Sequence, residues 1–155
     1  MKTIRLLSIL ALTGLLALTG RAHDPKAPLT EKHIEYLADY EQVRAALAAD
    51  DLAAAQKAAA TISAHAGPVE HSEKHLLKRI EAAGKLTKAA SLADAREAFK
   101  VLSKSAAHLA TDKQGYFIAH CPMVPNEEGN WVQTSPKISN PYMGKAMLTC
   151  GSIEQ

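Results

Sequence analysis

Between residues 31 and 110 the chain carries 23 alanines in 80 residues, and nothing else in the sequence restricts its fold as strongly. Alanine loses no side-chain entropy in a helix and has the highest helix propensity. The segment's only breakers are Gly67, Pro68 and Gly84. Apolar residues recur at spacings of three and four: Tyr36, Tyr40, Val43 and Leu47; Leu52, Ala55, Ala59 and Ile62; Leu92, Ala95, Phe99, Leu102, Ala106 and Leu109. Each series is one stripe along a helix. A weaker stripe, Leu76, Ile80 and Ala83, lies in the stretch from Val69 to Leu86. Capping residues mark the boundaries. Thr30 precedes the first run, Asp50 and Asp51 separate the first two, and Ser91 with Asp94 opens the last. Short loops make successive helices antiparallel. The expected fold is mainly α, an up-down four-helix bundle over about 31–110, its small core residues allowing close helix approach.

The character changes after residue 111. Residues 111–155 hold Pro122, Pro125, Pro136 and Pro141 among Gly115, Gly129, Gly144 and Gly151. This composition predicts a small irregular C-terminal lobe, 111–155, containing short strands. Residues 116–119 are one candidate strand, and 131–133 its partner across a turn at 125–130. A second compact turn is expected from Asn140 to Gly151. Bundle and lobe together form one domain, 23–155.

The first 22 residues read as a signal peptide rather than as part of that domain. Lys2 and Arg5 precede an uncharged Leu-rich run, and Gly20-Arg21-Ala22 suits cleavage after Ala22. The run is too short for a comfortable membrane span. No cysteine near the cut offers a lipid attachment point. The expected location is periplasmic, with no stable membrane anchor after cleavage. Cleavage also changes the charge. The whole chain is formally +2, but removing Lys2, Arg5 and Arg21 leaves 15 basic against 16 acidic residues. The electrostatic argument for nucleic acid goes with the leader.

Apart from Met1, every sulfur in the chain falls within 30 residues: Cys121, Met123, Met143, Met147 and Cys150. The 88 residues from 23 to 110 contain none, although methionine is a common gap-filler in helical cores. Trp131 lies inside the cluster and His120 immediately before it. Thiolates and thioethers are soft donors that favour Cu(I) and Ag(I). The candidate first ligands are Cys121, Met123, Met147 and Cys150, with His120 and Met143 as auxiliaries. A spacing of four places Met143 and Met147 on one face if their segment is α-helical. The alternative is a disulfide, the usual fate of two cysteines in an oxidising compartment. Joining Cys121 to Cys150 would close a loop of roughly 30 residues, worth roughly 3–4 kcal/mol in the chain-entropy model. In a third alternative the cysteines are idle free thiols, and the methionines equally only pack on Trp131 and the tyrosines.

Other groups carry less. His71 and His75 stand four apart, a spacing that can chelate Zn²⁺ or Cu²⁺, but residue 72 is Ser where a zinc-protease helix needs Glu. An exposed polar face is the stronger explanation, which leaves them a weak second metal candidate. His23 would become the first residue after cleavage and could offer Cu(II) an amine and an imidazole. Enzyme signatures are absent: no Cys-x-x-Cys pair, haem attachment motif or phosphate loop. Arg96 and Glu97 read as a solvated helix face or as partners of a neighbouring helix. A non-enzymatic protein is expected.

The C-terminal pattern also carries a resemblance. Cys121-Pro122-Met123, Trp131-Val132-Gln133, residues 138–144 (Ile-Ser-Asn-Pro-Tyr-Met-Gly) and residues 147–151 (Met-Leu-Thr-Cys-Gly) resemble a periplasmic domain of unknown function. That domain occurs alone or attached to the adaptor subunits of copper/silver cation-efflux systems. Upstream, Tyr40, residues 46–52 and Ala95–Phe99 with Leu102-Ser103 fit as well, so the resemblance spans roughly 34–151. It implies work beside metal-efflux machinery, with a metal ion and an efflux adaptor protein as partners. It implies no particular activity. An aromatic residue often stands in that family where Met143 stands here, which implies an auxiliary place for Met143.

Overall fold

A computed structural model describes residues 28–66 and 74–154. The leader, His23 and His71 lie outside the described residues. Four helices follow in order: α1 (Glu31–Ala48), α2 (Leu52–His65), α3 (Lys74–Thr87) and α4 (Leu92–Ala110). Each packs on the next, and α4 closes back on α1. This is the four-helix arrangement that the alanine-rich segment predicts. No described helix is long and apolar enough to cross a membrane.

The apolar stripes become the core. Tyr36, Tyr40, Val43 and Leu47 are buried on α1, Ala55, Ala59 and Ile62 on α2, and Ala95, Phe99, Leu102, Ala106 and Leu109 on α4. Helix α3 contributes Ala82, Ala83 and Leu86. Ala55, Ala59, Ala83, Ala95 and Ala106 are fully buried, so the helices meet across methyl groups rather than long side chains.

The caps act where the sequence puts them. Thr30 accepts from the His33 amide, and the His33 ring accepts from the Thr30 amide, a reciprocal cap with His in place of the usual Glu. Asp51 accepts from the Ala54 amide and starts α2. Ser91 accepts from the Asp94 amide and donates to its carboxylate. Asp50 turns the chain between α1 and α2 in the left-handed region, at φ 56°, a conformation Asp tolerates better than most residues.

The lobe is built on a three-stranded antiparallel sheet. Strand β1 (Phe117–His120) is central, between β2 (Asn130–Gln133) and β3 (Ser152–Glu154). Phe117 faces Gln133 and His120 faces Asn130 across one pair, and His120 faces Ser152 across the other. The sequence places the first two strands to within one residue at each end. It does not reveal β3, because three residues after Gly151 are too few to display alternation. The lobe joins the bundle along α4 and β2. Tyr40 spans that seam, its hydroxyl sharing a hydrogen bond with Ser103 and accepting from the Val132 amide.

Candidate functional site

The hairpin and the return strand bring the two cysteines together. Cys121 follows β1 directly, and its amide donates to Gly129 O. Cys150 sits two residues before β3, and its amide donates to Met147 O. The paired strands therefore carry two residues 29 positions apart to a Sγ–Sγ distance of 2.8 Å, and both are free cysteines. Cys121 is fully buried and Cys150 half-buried. The hydrogen bond to Cys121 and then burial push the Cys150 thiol above its ordinary range. That direction is opposite to the one a redox-active nucleophile needs.

Asn140 is the organising residue of this corner, and sequence reasoning did not single it out. It is fully buried. Its Oδ1 accepts from the Tyr142 and Met143 amides, and its Nδ2 donates to Cys150 O. Its own amide donates to Leu148 O, closing the expected 140–151 turn. The signal was legible: Asn before Pro141 marks a turn, because the Asn side chain can bond the backbone two residues on.

Three charged residues fasten this turn to the bundle. Arg44, on α1, binds Glu41 with two nitrogens and donates to Ser139 O at 2.8 Å. Arg96, on α4, donates to Pro141 O, Leu47 O and the Asp50 carboxylate. Asp50 in turn accepts from the Lys145 amide, which is the main cause of its lowered carboxyl pKa, with Arg96 second. Arg96 thus leaves the solvated face and ties three segments together, whereas Glu97 stays outward and pairs with Lys100. Asp50 is a helix boundary, as expected, and also a bridge to the lobe.

The other sulfur residues divide. Met123 and Met147 are 59% and 44% exposed. They lie outside the core, so packing does not account for them. Met143 is half-buried against the core and lines a small cleft with Arg96, Lys100 and Tyr142. The α-helix on which a shared face for Met143 and Met147 depends does not form. Residues Gly144–Met147 form a 3-10 turn, and at three residues per turn a spacing of four separates the side chains by roughly a third of a turn. His120 is tied through Nδ1 to Asn130 Oδ1 at 2.5 Å. Strand alternation puts it on the face opposite buried Ala119. Trp131 is fully buried, donates to Gln133 Oε1 and packs edge-on against Tyr142 at 6.2 Å; its indole is a wall of the lobe.

Among the described residues, no group of three or more His, Cys, Asp or Glu side chains is arranged to hold a metal ion. His75 is exposed on α3, away from the sulfurs, and lines a cavity with His65. His65 does not pair with His75. It bonds Asp39 at 2.7 Å, with Glu35 at 3.5 Å, and the Asp39 bond raises its pKa.

No curated protein and no solved structure matched the chain. A family model described as "Protein of unknown function (DUF3347)" matches residues 36–114. That stretch runs from Tyr36 in α1 through α4 to the threshold of β1 and stops short of Cys121. Because it covers 79 of the 155 residues, the chain belongs to the DUF3347 family.

Proposed function

We propose that the protein binds a soft monovalent metal ion, Cu(I) or Ag(I), in the periplasm, as a non-enzymatic accessory to metal efflux or tolerance. Cys121 and Cys150 supply the principal ligands, and Met147 and Met123 complete the shell. The observation that carries this reading is that the fold brings Cys121 and Cys150 into direct contact on the lobe that also exposes two thioethers, Met123 and Met147. The resemblance of the 121–151 pattern to an efflux-associated domain supports the choice of metal and of an efflux adaptor as partner.

The chemistry is ligand exchange. Exposed Met123 and Met147 meet an incoming ion first. Thiolates then replace weaker donors, and each thiol loses a proton on binding. The sulfurs must part to roughly 3.5–4 Å to share one ion at about 2.3 Å each. The half-exposed side of Cys150 is the one free to move, since Cys121 is enclosed. A buried ligand beside a yielding one suits capture and hand-over.

A second reading rests on the same distance. At 2.8 Å the sulfurs are closer than two ligands of one ion, and closing to about 2.05 Å would make a disulfide. The protein would then be a stapled interaction domain docking on an efflux adaptor or another envelope protein. Titration with Cu(I) against a competing chelator tests the first reading. It predicts submicromolar binding, weakened at least tenfold by Met123→Leu with Met147→Leu. Micromolar or weaker binding, indifferent to those changes, sinks it. A thiol count on freshly isolated protein then decides for the staple if no thiol reacts after denaturation.

A further inference from the structure

A second feature lies at the other side of the bundle and does not depend on the sulfur site. Helices α1, α2 and α3 line an open cavity of about 540 Å³, within the usual range for small-molecule pockets. Its wall has an apolar part made by Ile62, Leu76, Ile80 and the ring of Tyr36. Arg79 lies on the same wall, its guanidinium 4.7 Å from the Tyr36 ring centroid. Among the described residues Arg79 has no carboxylate partner, and its Nε is buried without a hydrogen-bond acceptor. Two carboxylates among the described lining residues, Asp39 and Glu35, both face His65 instead. The Arg79 charge is thus held against an aromatic face and, among the described residues, has no counter-charge. A guanidinium over an apolar hollow suits a carboxylate head attached to hydrocarbon.

We propose that this cavity binds a small organic anion, with Arg79 taking the carboxylate and Ile62, Leu76 and Ile80 the apolar body. The test is calorimetric titration of the purified protein with sodium octanoate, with 1-octanol as the uncharged counterpart. The expected result is one-site binding of octanoate at least tenfold tighter than of octanol. Arg79→Gln should weaken octanoate tenfold or more, and Arg79→Lys should restore part of the loss. Ala66→Trp, at the end of α2, should narrow the cavity and weaken both ligands. Absence of binding at millimolar octanoate, equal affinity for octanol, or an Arg79→Gln variant that binds undiminished would each overturn the proposal. Should Arg79→Gln not fold, the octanol comparison and Ala66→Trp decide it, and an Ala66→Trp protein that binds as tightly as the parent overturns it.

Discussion

The bundle and the lobe hold together by different means. In the bundle, fully buried alanines let four helices approach closely, and the stabilising contacts are apolar and dispersed. In the lobe three short strands and a turn depend on a few directional bonds: the Asn140 side chain, the Gln133 amide, and the Arg44 and Arg96 guanidiniums. A dispersed apolar core tolerates the loss of any one contact. A polar framework places individual atoms more narrowly, as a pair of ligands requires, and is correspondingly exposed to the loss of one group. The family match covers the bundle and ends before the cysteines. The proposed chemistry therefore lies in the lobe, outside the matched stretch.

If that contrast holds, the two parts should break differently. The largest effect is expected from Asn140→Ala, which strands the Tyr142 and Met143 amides and Cys150 O. We expect a loss of about 3 kcal/mol in chemical denaturation and faster alkylation of both cysteines while helix content is kept. In the bundle the opposite kind of change should be needed. Ala59→Leu adds bulk to a fully buried seam between helices and should cost about 1–3 kcal/mol, with thiol reactivity unchanged. If Ala59→Leu instead loosens the cysteines, bundle and lobe are one cooperative unit and the contrast is wrong.

The smallest effect concerns His65. Its hydrogen bond to Asp39 raises its pKa in the folded state above the unfolded value of about 6.5. The folded state holds the proton more tightly, so the contribution is fully present below about pH 6.5 and fades as pH rises through the folded value. Melting temperatures from pH 6 to 8.5 should show a slight decline that is absent in His65→Gln. An identical slope in both proteins would remove the ion pair from the account.

Much of this architecture was written locally in the sequence. Helix stripes at spacings of three and four, and caps at Thr30, Asp51 and Ser91, depend on neighbours within one turn, so they survive without knowledge of tertiary contacts. The juxtaposition of Cys121 and Cys150 was anticipated as a cluster, but its distance was not, because it is set by strand β3, whose three residues carry no pattern. Of the two readings of Arg96, pairing with a neighbouring helix holds, through Leu47 O and Asp50 at the end of α1. Its bond to Pro141 O in the lobe is long-range and leaves no mark on the helical periodicity. A spacing of four puts Met143 and Met147 on one face only in an α-helix, and the 3-10 turn separates them. His120 illustrates a simpler limit: its side chain is engaged by Asn130 across the strand pair, a contact that adjacency to Cys121 in sequence does not reveal.

X-ray absorption at the copper K-edge of the Cu(I)-loaded protein shows whether the sulfurs of the lobe form a metal site. The expected result is a first shell of sulfur scatterers at about 2.3 Å, losing neighbours in the Met123→Leu, Met147→Leu variant. A shell of nitrogen or oxygen, or a sulfur shell unchanged in that variant, would refute the site.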